Sequence, residues 1–203
     1  MIDRIFKSIS LLFHPLFIPV FGVAIYFWKT PRYILPKEII MAKLISLVIL
    51  TIILPILLYF LLKTLGKVKT INLESTNERL IPLALNCVVT LIIIKRIITA
   101  SEFIELYYFF LGILVSSLTC LILAIVKFKA SIHMIAISGL FMFIIDLSIH
   151  FAINLNNIIA FNCIIMGAVA SSRLHLKAHT PRELIMGFFV GLIPQLILVN
   201  YWL

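Results

Sequence analysis

Apolar residues in this chain fall in long unbroken runs, separated by short stretches where charges and prolines gather. The runs lie at about 10–28, 39–62, 80–100, 103–126, 131–152, 155–171 and 184–202. A helix needs about 20 apolar residues to cross the hydrocarbon layer of a bilayer. Apolar and polar positions do not alternate, so the runs predict helices and not the strands of a barrel. The expected architecture is an all-α polytopic bundle of six to seven transmembrane helices. Lys95 and Arg96 interrupt the end of the third run, which is read as able to pair with the fourth in a hairpin that stops short of a full crossing. No linker or low-complexity tract divides the chain, and residues 1–203 read as one integral membrane domain.

Composition makes lipid the expected solvent. The chain is 63% hydrophobic and 12% charged, with a mean hydropathy of +1.21; soluble domains are about half apolar and about a quarter charged. A soluble fold of this length cannot hide so much apolar surface. The formal net charge of +9 comes from basic residues scattered between apolar runs. That spacing fits positive-inside loops and attraction to anionic membrane lipids, and it excludes the dense basic arm of a nucleic-acid binder. Cys87, Cys120 and Cys163 all fall inside apolar runs and read as small core residues. Met1 to Lys7 is weakly basic, no small-residue cleavage site follows, and Pro15 and Pro19 interrupt the next run. It therefore reads as a retained first membrane helix rather than a cleaved signal. The expected location is the cytoplasmic (inner) membrane of a bacterium.

Seven crossings would gather the N-terminus and the loops at about 63–79, 127–130 and 172–183 on one face. That face would carry Arg4, Lys7, Lys63, Lys67, Lys69, Arg79, Lys127, Lys129, Arg173, Lys177 and Arg182. The other would carry only Lys29, Arg32, Lys37, Lys43, Lys95 and Arg96. The basic bias would make the first face cytoplasmic, but residues kept for catalysis would inflate the same count, so orientation stays open.

Three polar clusters fall in those loops: Asn77-Glu78-Arg79-Leu80-Ile81-Pro82, Lys129-Ala130-Ser131-Ile132-His133, and the stretch from Ser172 to Glu183. Taken singly, each has a plain explanation. Arg79 can be an interfacial anchor that snorkels to headgroups. Ser131 can cap the helix after it, leaving His133 a first-turn residue. Thr180-Pro181-Arg182-Glu183 reads as a capping box with Thr180 at N-cap and Glu183 at N3. His175, His179 and Glu183 at i, i+4, i+8 would share a face of a continuous helix and suggest a metal site. Pro181 opposes that, because a helix through both histidines would clash at Ala178, so the helix is expected to start at Pro181 and no metal is expected. Asp146 and His150, one turn apart in the fifth run, read as a satisfied structural pair or a proton relay. Gly187 and Gly191 suggest close helix packing within the subunit.

Together the clusters place histidines, arginines, a lysine, a serine and helix N-termini at one membrane face. Phosphate suits such a place: arginine offers a bidentate fork, helix N-termini offer free N–H groups, and two histidines supply a nucleophile and a separate acid.

The three clusters resemble the motifs of the type 2 phosphatidic acid phosphatase superfamily, which also includes vanadium haloperoxidases. The family's third motif is Ser-Arg, five residues, His, three residues, Asp. Ser172-Arg173, five residues, His179, three residues, Glu183 matches it with Glu for Asp. The second motif is Pro-Ser-Gly-His, of which Ala130-Ser131-Ile132-His133 keeps the serine and the histidine. The first is Lys, six residues, Arg-Pro. Arg79 fits it, Pro82 comes two residues late, and Asn72 stands at the lysine position. The resemblance spans roughly residues 60–195. For the missing lysine, Lys129 is the better substitute and Lys69 the poorer.

The resemblance implies that His179 attacks phosphorus to give a phosphohistidine and that Glu183 holds the other ring nitrogen. It further implies that His133 protonates the leaving oxygen, while Arg79, Arg173, Ser131 and Lys129 bind the phosphate oxygens. No cofactor is required. The implied substrate is a phosphomonoester or diphosphate of a lipid: phosphatidic acid, phosphatidylglycerophosphate, a polyprenyl diphosphate or a lipid A-like phosphate. The rival expectation is a non-enzymatic transporter or lipid-phosphate-binding protein that keeps the groove.

Overall fold

A backbone inside hydrocarbon must satisfy its own N–H and C=O groups, which is why long apolar runs fold as helices. The computed structural model describes residues 2–31, 36–68 and 75–203. Among these it forms eight helices and no strand. They are α1 (Ile2–Leu12), α2 (Ile18–Lys29), α3 (Lys37–Thr64), α4 (Thr76–Ile97), α5 (Ile104–Ile125), α6 (Ile132–His150), α7 (Asn156–His175) and α8 (Pro181–Tyr201). The six from α3 to α8 are long and apolar enough to cross a membrane, and the chain is an integral membrane protein. Ile45, Leu57, Val88, Ile122, Ile164 and Ile197 lie exposed on the bundle's outside, where lipid and not water would meet them. Asn72 of the first motif, Lys69 as the poorer substitute for its missing lysine, and Arg32 lie outside the described residues.

Three sequence expectations change. The first run is not one helix, because α1 ends at Leu12 and α2 begins at Ile18. A helix through Pro19 would lose a hydrogen bond and clash with the Pro15 carbonyl; the chain instead turns through His14 to Phe17, and Pro19 sits in the first turn of α2, where its missing N–H costs nothing. At 12 residues α2 is short of a full crossing. The third run starts earlier than expected. Ser75 accepts the Glu78 N–H as the N-cap of α4, which then has 22 residues and can cross unaided. Cys163 is exposed, while Cys87 and Cys120 are buried as expected.

Pro55 is accommodated by a wide turn at Ile49–Ile53, a usual way past a helical proline. The core centres on α6. Phe143 of α6 stacks on Phe109 of α5 at 4.2 Å, and α8 lies beside α6 in parallel. A side chain at Gly187 would strike the Ser131 carbonyl, 2.7 Å from where its Cβ would sit, and one at Gly191 would strike the Ile135 carbonyl. These glycines bring α8 close to α6 within one chain and hold the Ser131 and Glu183 segments side by side.

Candidate functional site

The antiparallel succession of helices puts the start of α4, the α5–α6 loop and the α7–α8 loop at one end of the bundle, with α1. Contacts tie these segments together directly. Arg79 Nη1 donates to the Ala130 carbonyl at 2.8 Å. Lys129 Nζ donates to the Ala178 carbonyl at 3.1 Å, and the Ser131 N–H donates to the Glu183 carbonyl at 3.2 Å. The three clusters are therefore one site.

His179 lies on the loop between α7 and α8, and its side chain is 1% exposed. Its Nδ1 meets Glu183 Oε2 at 2.9 Å. The same oxygen accepts the Thr180 N–H at 3.0 Å, and Thr180 Oγ1 accepts the Glu183 N–H. Glu183 thus completes the capping box and orients the histidine with one oxygen atom, so the two sequence explanations hold together. The carboxylate fixes the proton on Nδ1 and leaves Nε2 as a lone pair with no hydrogen bond among the described residues. Burial lowers the His179 pKa from its ordinary value. The Glu183 hydrogen bond opposes this, and the charges of Arg79 and Arg173 reinforce it. The ring is neutral near pH 7, the state a nucleophile needs.

Both guanidiniums are buried, Arg79 at 3% and Arg173 at 7% exposed. Arg173 Nη1 donates to a neutral hydroxyl, that of Ser10, at 2.9 Å. Its Nε is buried without a partner, and it makes no ion pair among the described residues. Ser131 occupies the N-cap position of α6, but its hydroxyl makes no cap bond. That Oγ is fully buried and idle. A buried cation without a counter-ion and a buried hydroxyl without a partner each cost free energy, so this end of the bundle has unmet demand for an anion.

His133 stands at the same end, in the first turn of α6. Its Nε2 lies 3.2 Å from the Ser10 carbonyl and 3.3 Å from the Ser10 hydroxyl. A carbonyl can only accept, so Nε2 carries the proton. The His14 ring packs edge-on against it at 5.3 Å. Ser10 and His14 lie outside the stretch that carries the family resemblance. Nothing in the sequence marked Ser10; His14 carried the signal of an ionisable group next to a proline inside an apolar run.

Other polar residues are placed elsewhere. His175 ends α7 and turns to Asp3 of α1 at 2.7 Å, away from His179. Among the described residues no three His, Cys, Asp or Glu come together as a metal site would need. Asp146 and His150 are not a pair: Asp146 Oδ2 is buried without a partner, and His150 lies 3.6 Å from Glu105 of α5. An i, i+4 spacing only permits contact, and here His150 faces α5 instead.

Two apolar grooves flank α7. One, of about 470 Å³, runs between α2, α6 and α7 and is lined by Phe13, Phe21, Trp28, Ile137, Ile144 and Phe161 among others. The other, of about 510 Å³, lies between α6, α7 and α8, from Leu174 and Pro181 to Phe189. Both are of the size that holds small ligands. Each has one end beside the polar cluster: Phe13 precedes His14, and Leu174 follows Arg173.

Compared with family models, with curated proteins and with solved structures, the chain matches none.

Proposed function

We propose that this protein is a membrane-embedded phosphatase that hydrolyses a lipid phosphomonoester or diphosphate through a phosphohistidine, without a metal ion. The observation that carries this reading is the His179 imidazole, held through Nδ1 by Glu183 with Nε2 open, beside two buried guanidiniums and the idle Ser131 hydroxyl. Nε2 attacks phosphorus and the bond to the leaving oxygen breaks. Glu183 stabilises the positive charge that develops on the ring, as the acid does in a Ser-His-Asp triad. His133 gives its Nε2 proton to the leaving oxygen. Arg79 and Arg173 neutralise the equatorial oxygens as charge spreads, and Ser131 donates its idle proton to one of them. Lys129 holds the carbonyl that precedes His179, which fixes the loop that carries the nucleophile. Water then cleaves the phosphorus–nitrogen bond.

The apolar grooves beside the cluster support a lipid substrate, whose hydrocarbon would lie along α7 while its headgroup reaches the histidines. The cytoplasmic membrane of a bacterium is the proposed setting. Phosphate release from a panel of lipid phosphates by the purified protein tests the proposal. Release that persists with chelator, stops with orthovanadate and is absent in His179→Ala supports it. A protein that binds lipid phosphate and never turns it over is a carrier, and this assay separates the two.

A further inference from the structure

We propose that α1 is a lid over this site, and that Ser10 stands where an oxygen of the substrate phosphate goes. This rests on the phosphate reading above and adds a gate to it. Ser10 engages two groups that the reaction needs: its hydroxyl accepts from Arg173 Nη1, and its hydroxyl and carbonyl face His133 Nε2. While α1 is seated, His133 spends its proton on a backbone carbonyl and Arg173 spends its charge on a neutral hydroxyl. A phosphate oxygen is a better acceptor for both, because charge-assisted hydrogen bonds are about twice as strong as neutral ones. The unpartnered Arg173 Nε and Ser131 Oγ would be satisfied at the same moment.

Besides Ser10, α1 is held by Ile9 against the apolar cluster of Met134, Ile137, Val169 and Leu184, and on α7 by the Ser172 hydroxyl donating to the Phe6 carbonyl at 2.7 Å, by the Phe6 ring on His175 at 4.4 Å, and by the Asp3–His175 pair. That pair is largely exposed, and exposed ion pairs contribute little. Outside the seat, α1 leaves Ile2, Ile5, Leu11 and Leu12 exposed, with Arg4 and Lys7 also exposed. A short amphipathic helix of that pattern lies in the headgroup layer of a bilayer, and its cations favour anionic lipid. On leaving its seat, α1 therefore stays in the interface rather than entering water. The proline-bearing turn from His14 to Phe17 separates it from α2 and supplies the hinge. A lipid phosphate arriving along the interface would take Arg173 and His133 from Ser10 and move α1 aside.

The test uses the full chain in nanodiscs containing phosphatidylglycerol, with orthovanadate as the phosphate mimic. Binding is measured by calorimetry for the wild type, Ser10→Ala, Asp3→Ala and His179→Ala. A nitroxide on Lys7→Cys, in a Cys163→Ser background, reports the mobility of α1. Ser10→Ala should bind vanadate about tenfold more tightly, the scale of one competing hydrogen bond removed. Asp3→Ala, which loosens the seat without touching the site, should bind more tightly too, and vanadate should raise the mobility of the label. If vanadate binds the wild type and not His179→Ala, yet Ser10→Ala and Asp3→Ala bind equally or less well and the label does not move, the lid is wrong and the phosphate reading stands. If vanadate binds no variant, both fall.

Discussion

Each end of the bundle holds a cluster of charged and titratable groups, and the two are balanced differently. At the end away from the site, Glu105 is fully buried, yet it accepts the Tyr26 hydroxyl at 3.0 Å and faces His150. Nearby, Lys43 pairs with Glu102 at 2.9 Å and also donates to the Ile97 carbonyl. Acid meets donor, and nothing further is required to explain those residues. At the site end, the carboxylate that meets His179, Glu183, already serves Thr180 as well, while Arg173 Nε and Ser131 Oγ are buried without a partner. A cluster that satisfies itself stabilises a fold. A cluster that keeps donors idle gains stability when an acceptor joins it. Polarity inside a membrane therefore does not mark a site by itself; imbalance does.

The largest break in that comparison should come from His179. His179→Ala removes the attacking nitrogen whatever the leaving group, and phosphate release should fall by about 10⁴-fold or more. Glu105→Leu at the other end should leave turnover per folded molecule unchanged while it lowers the melting temperature, because it strands the Tyr26 hydroxyl. Steady-state kinetics and thermal unfolding on the same two preparations check both. A large loss of turnover in Glu105→Leu would mean that the two ends are coupled.

His133→Ala should follow, and its effect should depend on the substrate. A general acid contributes about 10²–10⁴-fold, and less when the leaving oxygen is already stable as an anion. An alkyl phosphate should be affected within that range, and an aryl phosphate with an acidic phenol should be nearly spared. Equal losses on both substrates would remove His133 from the role of proton donor.

Arg173→Met should lower kcat/KM by about 10²–10³-fold, as loss of one preorganised charge does in other active sites. Its stability effect should have the opposite sign to that of Glu105→Leu. Removing a buried charge that has no counter-ion is neutral or stabilising, so the melting temperature should hold or rise. A clear fall in melting temperature would show that Arg173 is structural and would undo the contrast between the two ends.

Much of this was legible in the sequence because it depends on local rules. The run lengths predicted α3 and α5 to α8, the Thr180 to Glu183 spacing predicted the capping box, and Pro181 predicted where α8 begins. The gathering of the three polar loops at one end followed from counting crossings. What escaped depends on contacts between distant segments. Ser10 lies 163 positions from Arg173 and 123 from His133, and no periodicity reports such a meeting. The division of the first run into α1 and α2 was signalled by Pro15 and Pro19, but run length alone hid it. Asp146 and His150 had the right spacing for a pair, and only packing against α5 sends His150 to Glu105 instead.

The smallest and most discriminating change is Glu183→Gln. One carboxylate oxygen accepts from both the Thr180 N–H and His179 Nδ1, and the amide oxygen of Gln can take that same position. The capping box and the ring's tautomer should both survive, so the melting temperature should stay within a few degrees of wild type. What disappears is the negative charge. In a Ser-His-Asp triad, neutralising the acid costs about 10⁴-fold because the histidine adopts the wrong tautomer; with the tautomer kept, the loss of kcat should be smaller. The pH profile separates this from a capping role. In the wild type, burial and the two arginines lower the His179 pKa, and Glu183 raises it. A nucleophile must be unprotonated, so the acid limb of kcat/KM should lie below about 6.5, the ordinary imidazole value. Removing the Glu183 charge takes away the raising influence, and the limb should move to still lower pH. A variant with reduced kcat and an unmoved acid limb would leave Glu183 as a helix cap whose loss disturbs the loop. A variant with full kcat would remove it from the chemistry altogether.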